Sequence, residues 1–575
     1  MYPPQAVRPR VLQRHHTRSE TREKPTPSGF AYHVSTTVGA RREDAPQCDP
    51  GGTTDTFAHW ACAWAQATNS SLAGSRVLVD AQDLARGGEA LALRMAEWGL
   101  VPTNDAARAD STYPDLPKRQ DLTAADAWAR AERGMPVSAE LARRIAAEGL
   151  LRGVHIALSL IVEPKTAVLV ERLAAAGATV GVYCHAHECD QAIANQIRAR
   201  GYAIEADAAW TPAQEREGSL RLMDRIRPDV VIDDGANFSR LMVMERPTLA
   251  ARLVGVAEET TSGVRAFTAM QQEGELPFPV VAVNDSRLKT GFDNRHGTGE
   301  TCAATTMSLV GPSFFSAAGG ARVTVVGFGP VGEGFARRVR ALGARVTVAE
   351  ADPVRALEAS FAGFAVAPLD SALPATDMAV SATGVRHTLP ADALRLLPDG
   401  ATVAVIGGIA NEVALDQVLS QGGTLRPGEK TGVSWLDVPQ GPTLRLLASG
   451  DGVNYAAGPG NPIEIMDLSF AVQLAAVEHL LRHAGSLPAE VLRLGPEVDR
   501  RIASIALEAR GIRTESAPST PTFVPDWRVT RYADTAGTTP QSSSGSASSS
   551  SDATTSPSDV AWGSTPAPTD RKKHA

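Results

Sequence analysis

Between residues 122 and about 510, short apolar runs alternate with longer alanine-rich stretches in which apolar residues recur at helical spacing. The runs at 154–158, 179–183 and 230–233 are strand-like, and the stretch 165–176 between the first two has helical spacing. Strands that alternate with helices are typical of a parallel sheet covered by helices. The pattern therefore predicts an α/β fold built on doubly wound parallel sheets.

The two ends of the chain have a different texture. Residues 1–50 are polar and rich in Pro and Arg, and residues 534–575 are rich in Ser, Thr and Pro. Such compositions cannot bury a core, so both ends are predicted to be disordered. Residues 51–119 contain a helical pattern at 85–100 but no recognisable motif, and we treat them as an N-terminal extension of unknown fold.

Charge and composition exclude several classes of function. The net charge of -8 gives no reason to expect a nucleic-acid partner. The basic start lacks the apolar core of a signal peptide, and no run of about 18 apolar residues predicts a membrane span. The five cysteines are scattered without a disulfide framework, which suits a reducing compartment. We therefore expect a cytoplasmic protein without a membrane partner.

The segment Cys184–Cys189 contains His185, His187 and Glu188, all side chains of metal-ligating type. A closed site needs further ligands at suitable spacing, and these would have to come from elsewhere in the chain. No metal is predicted.

A glycine-rich turn follows the buried-strand run 322–326 and precedes a helical stretch. Glycines at such a turn let the backbone approach a pyrophosphate, whose charge lies at the helix N-terminus. The next strand, 345–349, ends in Glu350, where a ribose-binding carboxylate belongs. An acid there favours NAD over NADP, although Arg355 nearby is a mild counter-signal. The predicted pyrophosphate loop consists of Gly327, Phe328, Gly329, Pro330, Val331 and Gly332.

One lysine stands out because the chain contains only seven. Lys289 lies between Asp285 and Asp293, whereas arginine supplies nearly all other positive charge. A crowded lysine can lose its proton and an arginine cannot, so the two residues are not interchangeable in a site. Lys289 is either a loop residue in an ordinary ion pair or a proton-exchanging residue.

These segments, taken in order, resemble the S-adenosylhomocysteine hydrolase family over about 400 residues, from Ala124 to Tyr532. The resemblance is carried by the glycine loop, the stretch around Lys289, and the segments Thr166–Leu173, Ile232–Asn237, Gly255–Val264 and Gly452–Tyr455. It implies two Rossmann-like domains, with the NAD domain inserted in a split substrate domain. It also implies a homo-oligomer, because the family forms tetramers with C-terminal arms that cross between subunits.

The implied boundaries follow the order of the motifs. The substrate domain takes residues 120–300 and 454–490, the NAD domain takes 301–453, and a C-terminal arm takes 491–533.

The resemblance implies a chemistry and a set of site residues. Bound NAD oxidises the ribose 3′-hydroxyl of a nucleoside, the ketone acidifies the 4′-hydrogen, the 5′ group leaves, water adds, and the ketone is reduced. Lys289 and Asp293 match residues on the ribose hydroxyls, Asp234 matches the base, and Glu259 matches the acid that orders ribose and lysine. Further cofactor contacts are implied at Thr260, Thr261, Ser262, Asn294, Thr383 and Asn454.

The departures from the family pattern cluster around the 5′ end of the substrate. Ile161, Gly408 and Asn461 stand where the family has histidines, and Glu163 stands where a threonine holds the homocysteine part. The remaining departures are Lys165, Cys189, Thr298 and Val524. Loss of the histidines is expected to impair proton transfer to a leaving group, and Glu163 is expected to repel a homocysteine carboxylate. His155 either replaces a lost histidine or is a packed strand-end residue.

Three functions remain open. The first is an NAD-dependent enzyme that oxidises an adenine nucleoside and eliminates its 5′ group, which would make it a nucleoside dehydratase if no water is added, as a nucleoside-antibiotic pathway requires. The second is ordinary S-adenosylhomocysteine hydrolysis in one-carbon metabolism. The third is an inactive NAD-binding regulator. Retention of the sugar-oxidising residues and loss of those at the 5′ end favour the first.

Overall fold

The computed structural model describes residues 53–117, 122–311, 313–316 and 319–515. The chain divides after Arg513, and the first unit holds every element described below. In the described part, no helix combines the length and the apolar character needed to cross a membrane. Val524, which lies in the predicted C-terminal arm, falls outside the described residues.

The N-terminal extension forms a small parallel sheet of three strands in the order β2–β1–β3. Its strands and helices are α1 (Thr53–Thr68), β1 (Arg76–Val79), α2 (Ala81–Trp98), β2 (Val101–Thr103) and β3 (Ser111–Tyr113). Phe57, Trp60 and Trp98 are fully buried and share one core with Cys302 and Phe335 of the domain that carries the glycine loop. The extension is thus packed onto that domain rather than separate from it.

The second sheet belongs to the first part of the predicted substrate domain. Its strands are β4 (His155–Ser159), β5 (Thr179–Tyr183), β6 (Ala203–Glu205), β7 (Val230–Asp233), β8 (Gly255–Glu258) and β9 (Val280–Ala282). The helices of this part are α3 (Ala124–Arg133), α4 (Pro136–Glu148), α5 (Pro164–Ala175), α6 (Gln191–Ala199), α7 (Pro212–Ile226), α8 (Asn237–Glu245), α9 (Pro247–Ala250) and α10 (Thr261–Glu273).

A π-helix, Lys289–Thr298, leads into α11 (Gly299–Val310) and α12 (Ser313–Ser316) and so joins the two large domains. π-Helical turns are rare and frequently occur at functional sites, because the wider turn re-aims its side chains.

The third sheet carries the glycine loop. Its strands are β10 (Arg322–Val326), β11 (Arg345–Ala349), β12 (Ala365–Val366), β13 (Met378–Ser381), β14 (Thr402–Val405), β15 (Thr424–Pro427), β16 (Val433–Asp437) and β17 (Thr443–Leu447). The helices are α13 (Pro330–Ala341), α14 (Pro353–Phe361), α15 (Leu369–Ala372), α16 (Ala391–Leu394) and α17 (Leu415–Ser420). The order is β12–β11–β10–β13–β14–β17–β16–β15, parallel except for the last two pairs.

The chain then returns to the second sheet. The returning elements are α18 (Val453–Ala456), α19 (Ile463–Arg482), β18 (Val491–Leu492) and α20 (Pro496–Ala509). Strand β18 pairs with β9, which completes a parallel sheet in the order β18–β9–β8–β7–β4–β5–β6. The described part of the predicted arm, from residue 491 to Arg513, therefore begins as an edge strand and a helix of the second-sheet domain.

The parallel strands of both large sheets reverse their order once, between β4 and β7 in the second sheet and between β10 and β13 in the third. Ligands of such sheets bind outside the carboxyl ends of the strands at these reversal points. Both faces of each sheet are covered by buried apolar side chains. The predicted α/β class with two doubly wound parallel sheets is confirmed.

Candidate active site

A cavity of about 520 Å³ lies where the carboxyl ends of the two large sheets meet. Asp234 and Lys289 line it from the second-sheet domain, and Gly329, Thr383 and Gly408 line it from the glycine-loop domain. A smaller cavity of about 50 Å³ adjoins it and shares Asp234 and Lys289. The arrangement places a sugar-sized space between a dinucleotide loop and a group of acids and a lysine.

The π-helix presents Lys289, Asp293 and Asn294 on one side. Lys289 Nζ lies 2.7 Å from Asp293 Oδ2 and 3.8 Å from Glu259 Oε1, and it donates a hydrogen bond of 2.9 Å to Asn294 Oδ1. Asp293 and Glu259 line the smaller cavity. The structure thus brings together the three side chains predicted to act on the ribose hydroxyls.

The charges of this cluster hold one another in place. Burial by itself lowers the pKa of Lys289, but the carboxylates of Asp293 and Glu259 outweigh burial and raise this pKa above its ordinary value. Burial raises the pKa of Glu259 despite the nearby lysine, and Ser469 and Gln473 of α19 donate to its two oxygens. The free protein therefore holds Lys289 as an ammonium ion, which differs from our expectation that crowding eases its proton loss.

Asp234 stands on the turn that follows β7. Glu258, which is fully buried at the end of β8, accepts hydrogen bonds from the backbone N–H groups of Gly235 (3.0 Å), Ala236 (3.1 Å) and Thr260 (2.8 Å). These bonds hold Ala236 in the left-handed region with φ +59°, a conformation that costs roughly 1–2 kcal/mol. Burial first, and then the charges of Glu188 and Glu259, hold the pKa of Asp234 well above its usual range.

The glycine loop has the shape that a pyrophosphate requires. Gly327 has φ +96°, and a Cβ on Gly332 would lie 2.0 Å from the Gly327 carbonyl oxygen, so both positions need glycine. A Cβ on Gly329 would meet only Arg355 Nη1, at 3.3 Å, so the face of Gly329 is open. Helix α13 begins here with Pro330 at its first position, and its N-terminus favours an anion.

The acid after β11 completes the dinucleotide site. Glu350 accepts from the backbone N–H of Phe328 at 2.5 Å and from that of Asp352 at 2.9 Å, so it lies against the loop. Gly327, Glu350 and Thr383 line a further cavity of about 710 Å³. These groups fit NAD. The loop and the helix N-terminus can bind the pyrophosphate, and Glu350 can accept a hydrogen bond from a ribose hydroxyl.

The other residues predicted to contact the cofactor lie between the two domains. Thr260 caps helix α10 by accepting from Gly263 N, and Thr261 donates to Asn284 Oδ1 at 3.0 Å. Asn454 is buried and does not line the main cavity. Its side chain donates to Asn461 Oδ1 at 3.0 Å. The predicted cofactor residues that do line this cavity are Thr260, Thr261, Ser262, Asn294, Gly329, Pro330, Val331, Arg355 and Thr383.

The departures predicted to face the 5′ end of a substrate lie in both large domains. Ile161 and Gly408 line the main cavity, and none of the described residues lining it is a histidine. His155 begins β4, at the opposite end of the strand from Ile161, and its Nδ1 lies 2.8 Å from the Ile226 carbonyl oxygen. It is a half-buried strand-end residue that does not line either cavity, so it does not replace a lost histidine.

Glu163 is bonded within the protein. Lys165 Nζ lies 2.7 Å from Glu163 Oε2 and donates to the Asn461 carbonyl oxygen at 2.7 Å and to Asn69 Oδ1 at 3.1 Å. Our expectation that Glu163 repels a ligand carboxylate as a free charge needs correction, because the two departures form a buried ion pair. Asn461 in turn donates to Asp293 and to Thr298, which ties this pair to the lysine cluster.

The segment Cys184–Cys189 has no metal-site geometry, since no group of three His, Cys, Asp or Glu side chains in the described residues is arranged to hold an ion. His185 Nδ1 instead lies 3.2 Å from Glu215 Oε2, and Cys184 Sγ accepts from Val162 N. Glu188 lines the main cavity.

Sequence reasoning missed Glu188, Tyr455 and Asn284 as lining residues and Glu258 as the support of the Asp234 turn. The position of Glu188 just after a predicted strand was the one available signal.

Comparison with known proteins identifies the family. Residues 315–460 match the family model described as the S-adenosyl-L-homocysteine hydrolase NAD-binding domain. The S-inosyl-L-homocysteine hydrolase of Methanopyrus kandleri is 37% identical over 423 residues, which cover 72% of this chain and 95% of that protein. The adenosylhomocysteinase of Thermotoga maritima is 36% identical over 384 residues, 67% of this chain and 94% of the relative.

The adenosylhomocysteinase of Archaeoglobus fulgidus is also 36% identical, over 405 residues that cover 69% of this chain and 97% of the relative. Identity at this level over nearly the whole length of several relatives indicates an adenosylhomocysteinase-like enzyme, and the predicted NAD cofactor is confirmed. The chain therefore belongs to the S-adenosyl-L-homocysteine hydrolase family.

Proposed function

We propose that this enzyme oxidises the 3′-hydroxyl of an adenine nucleoside, removes its 4′-proton and eliminates its 5′ group, and that the 5′ group is a hydroxyl lost as water. The observation that carries the proposal is the pairing of an intact lysine–carboxylate cluster with a cavity wall whose described residues include no histidine. A nucleoside dehydratase of this kind would supply the exocyclic alkene of a nucleoside antibiotic.

The oxidation half depends on Lys289 and its two carboxylates. When bound, NAD supplies the hydride acceptor at C3′ and later returns the hydride. Lys289, Asp293 and Glu259 bind the 2′- and 3′-hydroxyls, and the proton released from the 3′-hydroxyl enters this cluster. Glu259, whose pKa burial raises, is suited to take that proton while the lysine remains an ammonium ion.

The elimination half depends on the turn after β7. Asp234 is positioned by Glu258 beneath its backbone and lines both the large and the small cavity. In the proposed reaction it takes the 4′-proton, which the 3′-ketone has made acidic. Ile161 and Gly408 cannot carry a proton, so protonation of the departing 5′-hydroxyl needs another group in this cavity.

A second candidate is hydrolysis of a nucleosidyl homocysteine. Relatives that carry the names S-inosyl-L-homocysteine hydrolase and adenosylhomocysteinase favour it. The Glu163–Lys165 pair does not exclude an amino-acid substituent by charge, since its two charges compensate. Both candidates need a proton-transferring group near C5′ that residues 161 and 408 do not provide. We also keep as predictions a homo-oligomer and a cytoplasmic location.

The test mixes the purified, NAD-loaded protein with adenosine, S-adenosylhomocysteine, S-inosylhomocysteine and a hexulose adenine nucleoside in turn. Absorbance at 340 nm reports the oxidation step, and mass spectrometry reports the products. We expect a rise at 340 nm and a product lighter by one water from a 5′-hydroxyl nucleoside. Release of homocysteine from a thioether would replace the proposal by the second candidate. NAD-loaded protein that shows no spectral change with any nucleoside would indicate the regulatory function instead.

A further inference from the structure

Glu188 is a carboxyl group of the main cavity that the proposed reaction has not yet used. It ends a short 3₁₀ turn, Ala186–Glu188, that follows strand β5. Its side chain is 25% exposed and lines the same cavity as Asp234 and Ile161. Three described residues of the cavity lining are carboxylic acids, and the third, Asp285, is bonded to Arg493 Nε at 2.8 Å. Glu188 and Asp234 are therefore the two lining acids without an arginine partner.

The backbone fixes Glu188 beside the wall that has lost its histidine. Val162 N donates to the Glu188 carbonyl oxygen at 3.2 Å, and Asp190 N donates to the Val162 carbonyl oxygen at 2.9 Å. These bonds join the turn that carries Glu188 to the loop that carries Ile161. Glu188 thus lies on the turn next to the loop of Ile161, where the family has a histidine.

The electrostatic surroundings connect Glu188 to Asp234 and to a histidine. After burial, the charge of Glu188 is the largest influence that raises the pKa of Asp234. His187 Nε2 lies 3.5 Å from Glu188 Oε1, and the hydrogen bond between these side chains raises the pKa of His187 to about 9. Asp451 and Glu215 also face His187. His187 therefore holds a proton 3.5 Å from the Glu188 carboxyl group, in the cavity region where the family histidine is replaced by Ile161.

We propose that Glu188 is a further catalytic residue, the proton donor to the leaving 5′-oxygen, and this assignment rests on the function proposed above. In the 3′-keto nucleoside, Asp234 takes the C4′ proton and the electron pair forms the C4′=C5′ double bond. The C5′–O bond breaks, and the Glu188 carboxyl transfers its proton to the departing oxygen, which leaves as water. The proton reaches Glu188 from His187, and the proton taken by Asp234 returns to His187 through cavity water, which resets the site.

The test separates oxidation, proton abstraction and departure of the 5′ group. Wild type, Glu188→Gln and Asp234→Asn are incubated with adenosine in D₂O. Absorbance at 340 nm reports oxidation, deuterium at C4′ of recovered adenosine reports proton abstraction, and a product lighter by one water reports elimination. We expect Glu188→Gln to keep the first two within about threefold but to lose elimination by about 10²–10⁴-fold, the usual contribution of a general acid. Asp234→Asn should also lose deuterium exchange.

A substrate that needs no proton donor provides the decisive comparison. Chloride leaves without protonation, so 5′-chloro-5′-deoxyadenosine should release chloride from Glu188→Gln within about tenfold of the wild-type rate, because the acid has no task with this leaving group. The matched control is Glu217→Gln, an acid on α7 whose side chain is 67% exposed. It should match wild type in all readouts. Bound NAD and thermal unfolding are measured for each variant to establish folding.

Three outcomes would overturn the assignment. Glu188→Gln that eliminates water at a near wild-type rate would show that another group donates the proton. Glu188→Gln that loses chloride and water release equally would show a structural role. If wild type oxidises adenosine but never forms the lighter product, no 5′-hydroxyl is eliminated and Glu188 cannot be its proton donor. Absence of oxidation in wild type with every nucleoside would instead remove the proposed function itself, and the assignment with it.

Discussion

Replacement of Lys165 by methionine tests whether the two departures at residues 163 and 165 act as one structural unit. The ammonium group of Lys165 is 2% exposed and lies 2.7 Å from Glu163 Oε2. It also donates to the carbonyl oxygen of Asn461 and to the side chain of Asn69. Methionine has a similar shape but no donor, so Lys165→Met leaves the Glu163 carboxylate buried and two acceptors unpaired.

The expected loss of unfolding free energy depends on whether one partner of the buried ion pair is replaced or both are. Removal of one partner of such a pair destabilises by about 3–5 kcal/mol, because an uncompensated charge stays buried. The double variant Glu163→Gln/Lys165→Met contains no buried charge and is expected to lose only about 1–3 kcal/mol for its unpaired polar atoms. Lys165→Met should therefore be less stable than the double variant by about 2 kcal/mol.

Urea unfolding followed by circular dichroism at pH 7 measures these differences, with Lys430→Met as an exposed control expected within about 0.5 kcal/mol of wild type. A second signature is pH dependence. Burial raises the pKa of Glu163, and the loss of Lys165 removes the main opposing influence. A carboxyl whose folded pKa is raised loses stabilisation as pH rises, so Lys165→Met should weaken further from pH 5 to pH 8. A single variant as stable as the double variant would refute the reasoning.

Three further predictions concern the lysine cluster, the glycine loop and a buried acid. Lys289→Ala should abolish the rise at 340 nm while bound NAD is retained. Lys289→Arg should also be inactive, because a planar guanidinium cannot reproduce the bonds of the buried ammonium group to Asp293 and Asn294. A rise at 340 nm in either variant with substrate would contradict the role of Lys289. Gly329→Val should eject NAD, measured in the extracted cofactor. Its unfolding temperature should lie within a few degrees of that of NAD-free wild type, because its Cβ meets only a flexible arginine. Burial raises the pKa of Glu464 to about 7, so its stabilising effect, full below about pH 4.5, is lost as pH rises through 7. Glu464→Gln should remove a fall of about 3 kcal/mol in unfolding free energy between pH 4.5 and 8, and an unchanged slope would contradict this pKa.

Local sequence signals were sufficient for the dinucleotide half of the molecule. The predicted strands 322–326 and 345–349 coincide with β10 and β11, because a buried apolar run bounded by glycine or an acid admits few alternatives. The antiparallel extension β15–β17 was not predicted, since its strands are partly exposed and carry no continuous apolar run. The small sheet of the N-terminal extension was missed for the related reason that its strands are three or four residues long.

The candidate site divides in the same way. Lys289 and Asp293 lie four residues apart on one helical segment, so their approach follows from local structure. The pairing of Glu163 with Lys165 and the arrival of Asn69 and Asn461 at the same ammonium group depend on segments up to 296 residues apart. The residue types alone could not reveal these contacts, because tertiary packing determines which side chains are buried and which partners they meet. The expected charge repulsion by Glu163 was wrong for this reason.

The lysine cluster and the loops of residues 161 and 188 are held by different kinds of contact, so residues on these loops can change without disturbing the cluster. Glu259 is held by Ser469 and Gln473 of α19, and Asp293 is held by Asn461, so each of these acids has a fixed buried donor. The loop that carries Ile161 and the turn that carries Glu188 are joined by backbone hydrogen bonds, which do not depend on side-chain identity. Replacement of a histidine there leaves those bonds intact. An acid on one loop can therefore take over a proton-transfer role that the other loop has lost, without disturbing the lysine cluster.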